Sequence, residues 1–170
     1  MARVFVSVGS NVERERHIAL ALELLRSRFG VLQQSNVYES AAVGFDGDPF
    51  FNLVVAFDCD AEPSAIVSSL REIERQCGRA RGAKRYAPRT MDLDLLLVGD
   101  RVVREGGIVL PHEEISTQAF VLRPLAELAG ERRHPLSGDT LASMWSRLKC
   151  KAEPLRRVDF TAATTHGSEA

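Results

Sequence analysis

Residues 78–98 read GRARGAKRYAPRTMDLDLLLV and join a basic loop directly to a segment with the pattern of a β-strand. The loop contains five basic residues and no acidic one, namely Arg79, Arg81, Lys84, Arg85 and Arg89. The strand-like half places Asp92 and Asp94 two positions apart in an apolar run. Because side chains alternate across a strand, both carboxylates should face one side. The opposite side should face a hydrophobic core and consist of Met91, Leu93, Leu95 and Leu97.

This segment combines groups that can bind phosphate with groups that can bind metal ions. An arginine guanidinium stays charged and matches phosphate oxygens with two parallel N–H donors. Neighbouring carboxylates repel each other unless cations lie between them, and Mg²⁺ is commonly held by one or two carboxylates together with phosphate oxygens. Taken alone, the Asp pair also fits an acidic strand face, and the loop also fits a solvated loop or an RNA-binding patch. Their adjacency favours a polyphosphate site.

The bulk composition is that of an ordinary globular protein. The 170 residues are enough for one domain with its own core. With 22 basic and 23 acidic side chains the net charge is −1, so any basic site must be local. The three cysteines lack C-x-x-C spacing, which predicts neither a disulfide framework nor a zinc cluster. With no signal-peptide pattern and no long apolar run, a cytoplasmic location is the simplest expectation.

The rest of the chain predicts the element order β-α-β-β-α-β. Alternating β-branched and aromatic residues predict strands over residues 3–8, 31–38, 51–59 and 91–98. Apolar residues at helical spacing predict one helix that ends at Gly30 and another from Pro63 to Gly78. The buried stripe of the second helix should comprise Ala65, Ile66, Leu70 and Ile73. This order is that of a ferredoxin-like α+β sandwich.

Residues after 98 predict a C-terminal extension of this unit. A turn at Gly106-Gly107 should lead into a short strand over 108–110, followed by helices over about 119–128 and 141–148. We expect a single domain over residues 1–160 and a disordered tail over 161–170, because the tail is small and polar.

Local patterns add predictions for the first helix and for the histidines. Ser10 and Glu13 have the spacing of a capping box at the start of that helix. His17, His134 and His166 are expected to face solvent. His112 follows a strand-ending proline, where its imidazole could donate to a phosphate oxygen or simply lie in a loop.

Several aromatic residues could enclose a flat ring, namely Tyr86, Phe50, Phe51 and Phe120. If residues 51–59 form a strand, one of Phe50 and Phe51 must face the core. Asn52 can donate and accept hydrogen bonds, which suits the edge of a heterocycle.

The motifs GSN, FFNLVV, GRxR, YxPRTMDLDLLL, LPH and AFVLxPLAELA occur in this order between about residues 3 and 130. Together they resemble the 6-hydroxymethyl-7,8-dihydropterin pyrophosphokinases of folate synthesis, and the PRTxDLDLLL block is far more specific than the Asp pair alone. The resemblance implies a ferredoxin-like fold, ATP as co-substrate, two Mg²⁺ ions and a pterin alcohol as acceptor. It also implies release of AMP. We expect a monomer without nucleic-acid or membrane partners.

The resemblance assigns roles to individual residues. It implies that Asp92 and Asp94 bridge the metal ions, and that Arg79 and Arg89 hold the ATP phosphates and stabilise charge during transfer. Further contacts to ATP are implied for Arg81, Lys84, Arg85, His112 and Gln118. The pterin pocket is implied to include Ser40, Val43, Phe50, Asn52, Tyr86 and Phe120.

Some positions depart from the family pattern. Ser40-Ala41 stands at a rim that is usually proline-rich, and Tyr86 replaces a commoner tryptophan. Glu113-Glu114 adds acid near the expected triphosphate, and Gln118 stands where arginine is usual. These departures leave open either weaker ATP binding or a paralogue that acts on another pterin-like alcohol.

Two alternatives from other classes stay open. Nucleotidyl transferases and cyclases also carry paired carboxylates on a ferredoxin-like sheet, but they release pyrophosphate. An RNA-binding module could use the basic loop, although the sheet-face aromatic motif of such modules is absent from the sequence. The sequence has neither G-x-x-x-x-G-K-[ST] nor G-x-S-x-G, so it predicts neither a P-loop protein nor a hydrolase with a nucleophile elbow.

Overall fold

The computed structural model describes residues 1–41, 48–78 and 91–160. The predictions for Val43, for the loop residues Arg79 to Arg89 and for the tail 161–170 lie outside the described residues. The strands are β1 (Ala2–Ser10), β2 (Gln33–Gln34), β3 (Val37–Ser40), β4 (Phe50–Cys59), β5 (Asp92–Val98), β6 (Val103–Glu105), β7 (Ile108–Leu110) and β8 (Arg156–Val158). The helices are α1 (Arg14–Phe29), α2 (Pro63–Gln76), α3 (Ala119–Ala129) and α4 (Leu141–Leu148), with a 3₁₀ helix at Glu113–Ser116.

Six of the described strands form one antiparallel sheet in the order β5-β1-β4-β3-β8, with β2 also paired to β4. Within it, β1, β3, β4 and β5 alternate with α1 and α2 along the chain as a βαββαβ unit, so the ferredoxin-like prediction is confirmed. A separate hairpin consists of β6 and β7. The edge strand β8 was not predicted from the sequence.

The sheet has a hydrophobic core on each face. On the first face, α1 and α2 pack against alternate residues of the strands through side chains that include Leu22, Leu25, Ile66 and Leu70. On the second face, α3 and α4 cover the sheet through Val121, Leu122, Leu125 and Leu141. The extension after β5 therefore buries the face that a two-layer sandwich would leave open to solvent.

The predicted capping box at the start of α1 was wrong. The sheet pairing of β1 continues to Ser10, which lies opposite Phe51, and the Ser10 hydroxyl donates to the Val12 carbonyl (3.2 Å). The helix begins only at Arg14, after Glu13 in a left-handed conformation (φ 39°). At the other end, α1 stops at Gly30 (φ 87°) as predicted.

The predicted strand over 31–38 is divided in two by Ser35. Its hydroxyl accepts a hydrogen bond from the Val54 N–H (2.9 Å), which replaces a ladder bond between backbone groups. Its own N–H donates to the Val54 carbonyl (2.9 Å), so the chain stays attached to β4 between β2 and β3.

Two predicted core residues face elsewhere. A register shift between β1 and β5 at Phe5 and Val6 breaks the alternation, so Leu97 packs with Leu96 on the second face. This β-bulge could not be read from an uninterrupted apolar run. Ala65 lies exposed in the first turn of α2.

The histidine predictions were wrong for His17 and His134, which are both buried. His17 Nδ1 lies 2.6 Å from the Val12 carbonyl oxygen, so this nitrogen donates and fixes the turn before α1. His134 Nδ1 accepts from the N–H groups of Leu136 and Ser137, both at 3.2 Å. His166 lies outside the described residues. In the part of the chain described, no helix has the length and apolar character needed to cross a membrane.

Candidate active site

One end of the second face of the sheet is polar, and it brings together residues from three adjacent strands. The pairing aligns Asn52 on β4 with Gly9 on β1, and Gly9 with Asp92 on β5. Two residues before Gly9 on β1, Ser7 lies opposite Asp94. Residues directly opposite on antiparallel strands point to the same face. Asn52, Asp92 and Asp94 therefore share a face, and we call Asn52, Gly9 and Asp92 the polar row.

Gly9 at the centre of the polar row allows the Asn52 side chain to lie across β1. A Cβ atom at Gly9 would come within 2.9 Å of Asn52 Oδ1, which is closer than a side chain tolerates without movement. Asn52 is itself buried, so its amide has little room to move aside. Neighbouring strands lie about 4.8 Å apart, so the two ends of the polar row are roughly 10 Å apart.

The Asp pair on β5 forms the acidic end of this face. Both side chains are half-buried, with Leu93 between them buried in the first core as predicted. Burial raises the pKa of the nearby Glu114 carboxyl above its ordinary value, and the charges of Asp94 and Asp92 raise it further, whereas His112 opposes this shift. The Asp pair therefore projects a negative potential onto the start of the 3₁₀ helix.

His112 lies on the same side as Asp94. Its N–H donates to the Leu96 carbonyl (3.0 Å), and its Nδ1 accepts from the Glu114 N–H (3.2 Å). Since Nδ1 accepts, the neutral ring carries its hydrogen on Nε2, which can act as a donor. His112 and Asp94 line a cavity of about 230 Å³ between β5, β7 and α2.

Two residues of α2 in this region were missed by the sequence reasoning. Arg71 lines the same cavity and donates from Nη1 to the Leu93 carbonyl (3.0 Å) and to Glu74 Oε1 (2.5 Å). Glu74 Oε1 also accepts from the Leu93 N–H (2.9 Å). The available signal was the position of Glu74 four residues after Leu70, on the apolar stripe of the helix, where an acid needs a partner.

Three residues predicted for the pterin pocket lie together at the neutral end of the polar row, namely Ser40, Phe50 and Asn52. Asn52 Nδ2 donates to the Ser40 hydroxyl (2.7 Å), and Ser40 lies opposite Phe50. Phe50 is half-buried, whereas Phe51 is buried in the first core, as the strand alternation predicted. Phe120, in the first turn of α3, is half-buried against the second core.

Gln118 is the residue that precedes α3, and its backbone carbonyl accepts from the N–H groups of Val121 (3.1 Å) and Leu122 (2.9 Å). Its half-buried side chain makes no capping hydrogen bond to the helix. The remaining candidate residues lie outside the described residues, namely Val43, Arg79, Arg81, Lys84, Arg85, Tyr86 and Arg89. In the sequence, the basic segment ends at Arg89, two residues before Met91, which is followed by Asp92 and Asp94.

The family model for 7,8-dihydro-6-hydroxymethylpterin-pyrophosphokinase (HPPK) matches residues 5–130. The chain belongs to the HPPK family. This match covers β1 to α3 and therefore every described residue of the polar row, and it confirms the resemblance inferred from the sequence motifs.

Curated relatives of this HPPK-family chain agree with the assignment. The 2-amino-4-hydroxy-6-hydroxymethyldihydropteridine pyrophosphokinase of Pseudomonas aeruginosa is 36% identical over 137 residues, covering 78% of this chain and 84% of the relative. The protein of the same name from Aquifex aeolicus is 33% identical over 138 residues, covering 80% and 86%. The mitochondrial folate synthesis bifunctional protein of Pisum sativum is 36% identical over 146 residues, covering 84% of this chain and 28% of the relative.

The chain spans only 20–30% of the length of three folate synthesis proteins that it matches, two of which are bifunctional by name. Among solved structures, the wild-type HPPK-DHPS of Plasmodium falciparum superposes with a TM-score of 0.71 at 13% identity. That superposition covers 92% of this chain and 48% of the other, and it supports the fold alone.

Proposed function

We propose that this chain transfers the pyrophosphoryl group of ATP to the hydroxymethyl oxygen of 6-hydroxymethyl-7,8-dihydropterin and releases AMP, as a step of folate biosynthesis. The observation that carries the proposal is the polar row, which puts a neutral hydrogen-bonding end and an acidic end on one face of the sheet. An HPPK-family chain needs such a pair of ends, because it must hold a neutral heterocycle beside a highly charged triphosphate.

The donor set at the acidic end fits Mg²⁺. Asp92 and Asp94 are hard oxygen donors on one face, and their charges act together on Glu114. No group of three His, Cys, Asp or Glu side chains suited to a metal appears within residues 1–41, 48–78 and 91–160, but Mg²⁺ bound through carboxylates and phosphates does not require one. We propose that Asp92 and Asp94 hold two Mg²⁺ ions, which would neutralise charge on the phosphate oxygens.

The side chains around the acidic end would orient the triphosphate. We assign the Nε2–H donor of His112 to a phosphate oxygen, since the hydrogen bond from the Glu114 N–H fixes that tautomer. Arg79 and Arg89, with Arg81, Lys84 and Arg85, would supply further cations from the loop between α2 and β5. Transfer of phosphoryl-type groups depends mainly on such positioning and charge neutralisation.

The neutral end would hold the acceptor. Asn52 and Ser40 offer both donors and acceptors to the polar edge of a pterin, and Phe50 and Phe120 offer ring faces. Tyr86 and Val43 would complete this pocket. In the transfer, the hydroxymethyl oxygen forms a bond to the β-phosphorus, the bond from that phosphorus to the oxygen of AMP breaks, and the hydroxyl proton is lost.

Product identification tests this function. The protein is incubated with ATP, Mg²⁺ and 6-hydroxymethyl-7,8-dihydropterin, and the products are followed by ³¹P NMR, with Asp94→Asn as the matched inactive control. We expect AMP and a pterin diphosphate in equal amounts. Release of pyrophosphate would instead indicate nucleotidyl transfer, and absence of AMP above the control would contradict the proposal. A series of related pterin alcohols tests whether the acceptor is a different one.

A further inference from the structure

The backbone of Leu93, the residue between the two aspartates, is held by a pair of charged side chains from α2. Leu93 lies on β5, the edge strand of the sheet next to β1. Its backbone N–H and C=O groups point away from β1, towards α2. The N–H donates to Glu74 Oε1 (2.9 Å), and the C=O accepts from Arg71 Nη1 (3.0 Å). Arg71 and Glu74 also bond each other (2.5 Å). We call this arrangement the Leu93 clamp.

The Leu93 clamp does more than satisfy an edge strand. Edge strands present backbone groups without a partner strand, and solvent or any nearby group can satisfy them. Here the acceptor is a glutamate whose side chain is only 1% exposed. Burying a carboxylate costs free energy, so a specific role for Glu74 is needed to explain its position. Because the clamp fixes both polar backbone groups of one residue, it fixes the pleat of the strand. The pleat in turn sets the directions of the residues on either side.

We propose that Arg71 and Glu74 are positioning residues that fix the spacing and direction of the Asp92 and Asp94 carboxylates for divalent metal ions. This inference rests on the proposed function, because it takes the Asp pair as the metal site. Without the clamp, the edge strand would be free to open locally at Leu93, and the carboxylates on either side would lose their fixed spacing and direction.

The chain contains a matched control on the same helix. Glu72 and Arg75 form an ion pair with the same three-residue spacing as the clamp, but on the exposed side of α2. A substitution of one member of that pair changes the net charge by the same amount as the corresponding clamp substitution and leaves the contacts to Leu93 in place. An exposed pair of this kind contributes little to stability.

The test compares Arg71→Met and Glu74→Gln with Arg75→Met and Glu72→Gln. Arg71→Met keeps the apolar stem and removes the donor, whereas Glu74→Gln keeps an acceptor for the Leu93 N–H and can therefore partly rescue the clamp. Three quantities are measured: hydrogen exchange at the Leu93 amide in the ligand-free protein, Mn²⁺ affinity by EPR with saturating α,β-methylene ATP, and the affinity for that nucleotide without metal.

We expect Arg71→Met to speed exchange at Leu93 and to weaken Mn²⁺ binding by roughly three- to tenfold each, the size of one lost hydrogen bond. Glu74→Gln should fall between Arg71→Met and the wild type. Both control variants should match the wild type in all three quantities. In steady-state kinetics, kcat should fall with the Mn²⁺ affinity while KM for the pterin stays constant.

Three results would overturn the proposal. Unchanged exchange at Leu93 would show that the clamp does not hold the strand. Faster exchange with unchanged Mn²⁺ affinity would show a role in stability only. Weaker metal-free nucleotide binding with unchanged exchange would make Arg71 a direct nucleotide contact. Failure of the proposed function has a different signature, namely no AMP from the wild type, and leaves the exchange and metal measurements interpretable.

Discussion

The two ends of the polar row are each anchored by an Arg–Glu pair, but the two pairs differ in burial and in the elements that they join. At the acidic end, Glu74 is buried and bonds Arg71 within one helix. At the neutral end, Arg14 at the start of α1 bonds Glu39 in β3 (3.0 Å) and the Pro49 carbonyl (3.0 Å). Glu39 is 23% exposed and has a second partner in Arg156 (3.4 Å). The Arg–Glu pair at the acidic end therefore lies within one helix and includes a buried carboxylate, whereas the pair at the neutral end joins two elements and is more exposed.

This difference follows from what each end must hold. Two like charges at the acidic end repel each other, so small changes in their spacing alter their affinity for cations. The neutral end carries no such internal repulsion. The neutral end lies where β3 ends and β4 begins, on either side of the 41–49 connection. The Arg14 guanidinium also stacks 3.8 Å from the centre of the Phe51 ring. We therefore expect substitutions at the acidic end to cost more activity than substitutions at the neutral end.

The largest effect is expected for Asp92→Asn or Asp94→Asn. Each removes a negative charge from the face that should bind Mg²⁺ and should lower kcat by roughly 10²–10³-fold or more, as expected for loss of a charge-stabilising group. The fold should survive, because both side chains are only half-buried.

AMP formation and circular dichroism check this prediction. A second readout is the pKa of Glu114, measured by NMR, which should fall towards its ordinary value because the charges of Asp92 and Asp94 raise it. A variant with a near wild-type rate would show that the Asp pair does not hold the metal.

The second effect concerns the centre of the polar row. Gly9→Ala places a methyl group 2.9 Å from Asn52 Oδ1 and must displace this buried amide from Ser40. We expect KM for the pterin to rise about tenfold and the free energy of unfolding to fall by about 1–3 kcal/mol.

A double variant isolates the cause of that loss. In Gly9→Ala/Asn52→Ala the clash is absent, so the stability cost of Gly9→Ala should largely disappear when it is measured by urea unfolding. If the losses in unfolding free energy for Gly9→Ala and Asn52→Ala simply add, the contact between Gly9 and Asn52 is not what excludes a side chain at position 9.

A smaller effect is expected at the anchor of the neutral end. Arg14→Met should raise KM for the pterin only a few-fold and destabilise the protein by about 1 kcal/mol, because Arg156 still neutralises Glu39. Arg16→Met is the control, since Arg16 pairs with Glu13 on the exposed surface.

Redundancy predicts coupling between the two arginines. Arg14→Met/Arg156→Met should cost more than the sum of the single variants, because Glu39 then loses both of these partners. Additive costs would show that Arg156 does not compensate for Arg14.

The smallest effect lies away from both ends, at His134. Burial lowers the pKa of this imidazole, and Asp139 only partly opposes the shift. As the pH falls below about 6.5, the ordinary pKa of histidine, the unfolded state therefore binds more protons than the folded state. The stability linked to His134 should be complete above that pH and decrease as the pH falls towards the folded-state pKa.

His134→Asn retains an acceptor for the Leu136 and Ser137 N–H groups but cannot titrate in this range. Urea unfolding between pH 7.5 and pH 5 should show a smaller loss of stability for the variant than for the wild type. Equal losses would assign the acid sensitivity to other groups, and AMP formation at neutral pH should be the same in both.

The sequence predicted the parts of the molecule that depend on local periodicity. The order β-α-β-β-α-β, the helix at 141–148 and the common face of Asp92 and Asp94 all follow from alternation or helical spacing. The bulge that turns Leu97 away and the extension of β1 to Ser10 depend on pairing with another strand. Such pairings have no local signature in the sequence. The predictions that Leu97 faces the same core as Leu93 and that Ser10 caps α1 were therefore wrong.

Site residues show the same division. His112, Asn52 and Ser40 lie next to recognisable motifs, and the structure places them around the polar row. Gly9 and the Leu93 clamp act on residues more than ten positions away in the sequence, across strands or between a helix and a strand. Their importance follows only from the register of the sheet and from the packing of α2 against its edge.

One binding experiment tests directly whether the two ends of the polar row hold different substrates. Calorimetry measures Mg²⁺-dependent binding of α,β-methylene ATP, which cannot be cleaved at the bond that the reaction breaks, and then binding of the pterin at saturating nucleotide. We predict that Asp94→Asn weakens nucleotide binding, whereas Asn52→Ala leaves nucleotide binding unchanged and weakens only pterin binding. If Asn52→Ala weakened the nucleotide as much as the pterin, or if Asp94→Asn left nucleotide binding at the wild-type level, the division of the site into two ends would be contradicted.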